Sequence, residues 1–196
     1  MIDLKGVTAI PQMRAIRREH SQRLRDEPTV LPLALSMMKG GEIARIFAWE
    51  LLHHHKPTLR ALTVADVRNL GAGIDSWETV DAFAMYIAGP AWRDGRLTDA
   101  ELARWARSDD RWWRRAALAS SVTISRAGGR TASVVRICSM LAEDRDDMVV
   151  KALSWALREL TKTDKRAAKT FLETHDVAAR VRREVTRKLV TGKKNG

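Results

Sequence analysis

One short helical pattern returns five times along this chain. Residues 42–51, 78–87, 112–118, 148–157 and, more loosely, 180–185 align so that the fourth position is always charged: Arg45, Asp81, Arg115, Lys151 and Arg183. Successive members stand 36, 34, 36 and 32 residues apart, and small or apolar residues fill the next two positions except at Glu184. A helix pair repeating at this period buries its apolar face only by stacking on its neighbours, which is the condition for an α-solenoid. Equivalent positions on stacked helices line one surface. The column therefore predicts a polar wall on which Asp81 is the lone acid.

The fold class expected is all-α, a right-handed α-solenoid of about five HEAT-like helical pairs. Helices are expected over residues 12–25, after Pro28 and Pro32 up to Gly40-Gly41, and over 42–55, 63–70 and 76–87. Others are expected over 98–107, 111–125, 132–142, 147–160, 164–174 and 176–190, with Gly89-Pro90-Ala91-Trp92 a turn or short helix. No hairpin signal, G-x-G-x-x-G, P-loop or H-E-x-x-H is present. The expected organisation is one domain over residues 1–190, followed by a basic tail over 191–196.

Charge narrows the partner. Lys and Arg number 35 against 24 acidic residues, a net charge of +11. Residues 151–196 alone carry 13 basic and 5 acidic side chains. Such a balance favours a polyanion, nucleic acid ahead of a membrane surface. The longest apolar run, residues 30–38, is broken by Pro32 and falls far short of the ~20 residues a bilayer requires. The early Asp3 and the lack of an apolar leader argue against secretion and organelle import, so a cytoplasmic, nucleoid-associated location is expected. A monomer is expected. The single cysteine, Cys138, reads as a core thiol. His53-His54-His55 cannot share one helical face, so no metal site is expected there.

Function is sought first on the helix opened by Asp75 or Ser76. Val80, Phe83, Ala84 and Ile87 make its core stripe at i, i+3, i+4, i+7 spacing. Trp77 and Asp81 stand one turn apart on another face, an indole beside a carboxylate where packing alone selects neither. Seven of the eleven aromatic residues are tryptophan, which suggests that some indoles face a ligand. Trp77 and Trp155 are expected to be exposed and Trp49 to be core. Trp112-Trp113-Arg114-Arg115 interleaves stacking and phosphate-pairing groups.

These blocks (Asp75 to Asp81, Arg104 to Ala117 and Val150 to Glu159, with residues 172–189 around Arg182-Arg183-Glu184) together resemble the AlkD-type DNA alkylation-repair glycosylases. The resemblance covers most of the chain, although the family usually carries about one further repeat at the N-terminus. It implies hydrolysis of the N-glycosidic bond of N3- or N7-alkylated purines in duplex DNA, without cofactor or metal. It places the catalytic aspartate at Asp81, the indoles at Trp77 and Trp155, and the active-site arginine at Arg115, expected to hold a phosphate. Arginine charge nearby is expected to favour ionised Asp81. The side chains expected against DNA are Arg45, Arg114, Lys151, Arg158, Arg182, Arg183 and Arg187. A non-catalytic helical-repeat protein binding damaged or structured DNA is the alternative, and a basic protein-binding scaffold is a third reading.

Overall fold

The computed structural model describes residues 2 and 4–193, so Asp3 and the end of the basic tail (Lys194, Asn195 and Gly196) lie outside the described residues. Every regular element among the described residues is helical, with no strand. The chain divides into two compact units, Met1–Ile74 and Asp75–Gly196.

The first unit holds α1 (Ile10–Arg23), α2 (Leu31–Met37), α3 (Glu42–His54), α4 (Lys56–Ala61) and α5 (Val64–Gly71). Pro11 and Pro32 sit in the first turns of α1 and α2, where a missing N–H has no helical partner to lose. α3 forms the centre, with Phe47, Ala48, Trp49 and Leu52 fully buried. The Trp49 indole N–H donates to the Leu70 carbonyl at 2.9 Å, fixing α5 against α3. Buried Glu50 is neutralised by Arg14 at 2.8 Å and Arg17 at 3.6 Å. The short helix α4 was not anticipated from the sequence. It forms because the His55 ring caps the Thr58 N–H and Pro57 supplies a helical φ in the first turn.

The second unit holds α6 (Trp77–Phe83), a π-helical segment (Ala84–Ala88), α7 (Gly89–Arg93), α8 (Asp99–Ala106) and α9 (Arg111–Ala127). It continues with α10 (Thr131–Met140), α11 (Asp147–Leu160), α12 (Lys165–Thr174) and α13 (Ala179–Thr191). Starts are set by side-chain caps from Ser76, Thr98, Asp110, Asp146 and Asp164. Val80, Phe83, Ala84 and Ile87 are all fully buried, as their spacing requires. Each of the larger ones contributes roughly 1.5–3 kcal/mol by leaving water.

The site helix does not end at Ile87. Pro90 can neither donate to the carbonyl four residues back nor sit against it, so the ladder widens by one residue and runs on into α7. The same bend brings the backbone of Gly89 against α9. A Cβ there would lie 2.4 Å from Thr123 Oγ1 and 2.8 Å from the Ala84 carbonyl, so only glycine fits. α9 and α11 pack side by side. Their small faces, Ala116, Ala117 and Ala119 on one and Ala152 and Ala156 on the other, are fully buried.

Candidate active site

α6 presents Trp77 and Asp81 one turn apart, about 6 Å along the helix. Ser76 caps this helix and Thr79 returns a hydrogen bond to the cap, so the first turn that carries the indole is firmly set. The Trp77 side chain stands 52% exposed, whereas Trp49 is fully buried. Asp81 is set back from it and mostly covered.

Arg115, one repeat later on α9, reaches Asp81 with both arms of its guanidinium. Nε donates to Oδ1 at 3.0 Å and Nη2 to Oδ2 at 2.7 Å. Its remaining arm, Nη1, donates to the Met148 carbonyl at 2.6 Å, in the first turn of α11. One buried arginine thus ties three successive repeats together. This corrects the expectation that Arg115 offers its fork to a phosphate. All three nitrogens have protein acceptors, and the side chain is only 7% exposed.

The ionisation of Asp81 also differs from the expectation. Burial raises its carboxyl above the usual value, and the hydrogen bonds and charge of Arg115 only partly oppose this. Desolvation of the buried carboxyl is the larger effect here. The bidentate geometry fixes the carboxylate plane. Each oxygen still has a lone pair not used by the fork.

Beyond this pair the wall is a chain of ion pairs. Lys151 meets Asp147 at 2.6 Å, and Arg180 meets Asp147 at 3.4 Å and Glu184 at 2.9 Å. Glu184 also accepts from Ser154 at 2.7 Å and from Arg158. The one break in the small-residue positions of the repeat, Glu184, is therefore the hub joining α11 to α13. Its departure from the repeat is the signal that the sequence carries for this role.

Trp155 stands two turns, about 10 Å, along α11 from Met148. It borders a groove of about 390 Å³ with Arg126, Arg158, Glu159, Lys162 and Lys188, and Arg126 lies over its ring at 5.9 Å. Arg126 and Lys162 were not singled out in the sequence, since neither occupies the charged column.

The remaining basic side chains divide by what they touch. Arg114 donates to Asp144, Ser108 and Asp109 at 2.8–2.9 Å and holds the loop before α9. Arg182 donates to the Leu172 and His175 carbonyls and closes the end of α12. In the first unit, Arg45 donates to the Gly73 carbonyl. Arg183 and Arg187 are exposed on α13, and among the described residues neither guanidinium has a hydrogen-bond or ion-pair partner. Cys138 is fully buried and its thiol is pushed up to about 12 by burial, which makes it inert.

Fold and site together define a helical-repeat protein whose repeats are joined through a carboxylate–guanidinium centre beside an exposed indole. The profile of the family described as DNA alkylation repair enzyme matches residues 5–189, and the chain belongs to that family. Its role is accordingly in the repair of alkylated DNA. A solved structure, a predicted DNA alkylation repair enzyme from Enterococcus faecalis, shares the fold with a TM-score of 0.76. It is 16% identical, over 93% of this chain and 87% of that one. No curated protein matches this sequence. No helix among the described residues is long and apolar enough to cross a membrane.

Proposed function

We propose that the chain is a DNA glycosylase that releases N3- and N7-alkylated purines from duplex DNA, with Asp81 as its central catalytic group. The observation that carries this reading is the Asp81–Arg115 fork beside exposed Trp77. It holds a carboxylate in one orientation beside an exposed indole in a chain of net charge +11, where an acid weakens binding to a polyanion. Such a group earns its place in the transition state, not in the complex.

An alkylated purine already carries positive charge, so its departure needs no general acid. The sugar left behind develops oxocarbenium character. Asp81 stabilises that charge, and its free lone pairs orient the attacking water. Arg115 acts through Asp81, fixing the carboxylate by its second attachment at Met148. Trp77 offers its ring face to the cationic nucleotide, an interaction worth roughly 0.5–2 kcal/mol. Arg183 and Arg187 meet backbone phosphates on α13. Trp155 with Arg126 and Lys162 takes the backbone flanking the lesion.

The test is base release from a duplex containing N7-methylguanine, followed by strand cleavage at the abasic site. Release from the methylated duplex with none from the unmodified one supports the proposal. Tight duplex binding with no release assigns the chain to the non-catalytic alternative.

A further inference from the structure

Of the paired indoles at the start of α9, one turns inward. Trp113 packs against Phe83 and Trp105, with ring centroids 6.0 and 4.9 Å away. Trp112 is only partly covered, and the Arg111 guanidinium lies over its ring, 4.7 Å from the centroid. Neither Arg111 nor Trp112 has a part in the chemistry above.

Two contacts fix how α9 lies against the site helix. Arg115 grips Asp81, and Thr123 faces Gly89, where a Cβ would come within 2.4 Å of the threonine hydroxyl. Both pairs are 34 residues apart, so the two helical runs are parallel and in register. The residue of α9 opposite Trp77, again 34 residues on, is therefore Arg111. Packed helix axes stand about 8–10 Å apart. Trp77 and Arg111 thus stand side by side, one turn or about 6 Å before the Asp81–Arg115 fork. Both are half exposed, at 52% and 51%.

The cations nearest the fork are committed elsewhere. All three nitrogens of Arg115 have protein acceptors, Arg114 is held by Asp144, and Lys151 by Asp147. Arg111 differs. Its Nη1 lies 3.5 Å from Asp146 Oδ2, beyond good hydrogen-bond range, while Asp146 uses Oδ1 to cap α11. Among the described residues its guanidinium makes no hydrogen bond. Stacking on an indole occupies the face of a guanidinium and leaves its N–H edge open, and that edge matches two phosphate oxygens. A side chain already laid on Trp112 also has less rotamer freedom to lose on binding.

We infer that Arg111, held on Trp112, clamps the DNA phosphate adjoining the nucleotide that Trp77 and Asp81 engage. The inference rests on the glycosylase reading for the place of that nucleotide: a base on Trp77 and a sugar at Asp81 leave the adjoining backbone within one helix spacing of Arg111. Trp155 lies one turn past Lys151, on the other side of the charged column, so its groove and Arg111 take the strand on opposite sides of the reacting sugar. Arg111 is thus a positioning residue, which fixes where the sugar sits relative to the carboxylate.

The experiment measures the affinity of the full chain for duplexes holding one N7-methylguanine, its release blocked by a 2′-fluorine. Single phosphates around it are replaced in turn by neutral methylphosphonate. Wild type is expected to lose roughly tenfold at one phosphate adjoining the modified nucleotide, the loss of one charge-assisted contact. Arg111→Gln, an exposed substitution that leaves the melting temperature unchanged, is expected to bind the all-phosphate duplex about tenfold more weakly and to lose nothing further at that phosphate. Arg111→Lys keeps the charge without the stacked fork and recovers part of the loss. Arg183→Ala still responds at that phosphate. No loss in wild type at either adjoining phosphate, a further loss there in Arg111→Gln, or wild-type affinity in Arg111→Gln overturns the proposal. The two readings fail separately. No base release from the duplex without fluorine, with the interference at that phosphate intact, removes the glycosylase reading and upholds the contact. Release with Arg111→Gln additive at every phosphate removes the contact alone.

Discussion

Arg115 is the residue on which the centre turns. Its fork to Asp81 is mostly buried, so truncating it strands a carboxylate in a desolvated position, at a cost of roughly 3–5 kcal/mol. Arg115→Ala is therefore expected to lower chemical-denaturation stability by that order and to slow excision. It should leave the salt dependence of duplex binding unchanged, since no guanidinium nitrogen faces outward. Arg183→Ala and Arg187→Ala should do the reverse. Each should lower the slope of log K against log salt by about one, with stability unaltered. A slope change in Arg115→Ala equal to that in Arg183→Ala means that Arg115 opens toward phosphate when DNA binds. The residues of this centre were legible in the sequence because Asp81 and Arg115 occupy one column at a 34-residue step. Their mutual engagement was not legible. A column gives a surface position and does not say whether neighbours on it pair with each other or with a ligand.

The elements were read well where a cap and an apolar stripe coincide, as in α11, whose start and end at Asp147 and Leu160 match expectation. They were read less well where a backbone constraint overrides periodicity. The run from Trp77 through Arg93 is continuous, and Pro90 converts its middle into π geometry instead of ending it at Ile87. α13 starts at Ala179, three residues later than its acid-rich approach suggested. Gly89 is the sharpest test of this arrangement. Gly89→Ala forces a methyl group into Thr123 and the Ala84 carbonyl and is expected to destabilise by roughly 1–3 kcal/mol. Thermal unfolding checks it, with Thr123→Ala as the partner substitution that should recover part of the loss. An alanine variant as stable as the parent means that the π segment relaxes freely and plays no part in setting α6.

At the scale of the whole molecule the acidic groups work in two directions. Burial alone pushes Asp99 up, but hydrogen bonds from Ser133 and Trp92 and the charges of Arg130 and Arg136 together bring it below its usual value. Burial opposes Glu159 and Glu184 as well, but Lys162 and Arg126 outweigh it at Glu159, and the Ser154 hydrogen bond with Arg180 and Arg158 outweighs it at Glu184. The stability these three contribute is present above their unfolded values and lost as pH falls through the lowered folded ones. Asp81 is raised, so its contribution is present below the unfolded value and fades as pH rises through the folded one. The melting temperature should thus fall on acidification below about pH 4. Asp99→Asn should flatten that fall and Asp81→Asn should steepen it. The all-helical architecture was legible from the recurring charged column, while the division at Ile74 was not, because the period continues from Arg45 to Asp81 without a break in composition. The central claim is that Asp81 acts in the transition state. Its most direct test is single-turnover release of N7-methylguanine by wild type and Asp81→Asn, with duplex affinity measured on the same preparations. The expected result is release slowed by roughly 10²-fold or more, with affinity equal to or tighter than wild type, since the substitution removes a negative charge. Release by Asp81→Asn at the wild-type rate contradicts it.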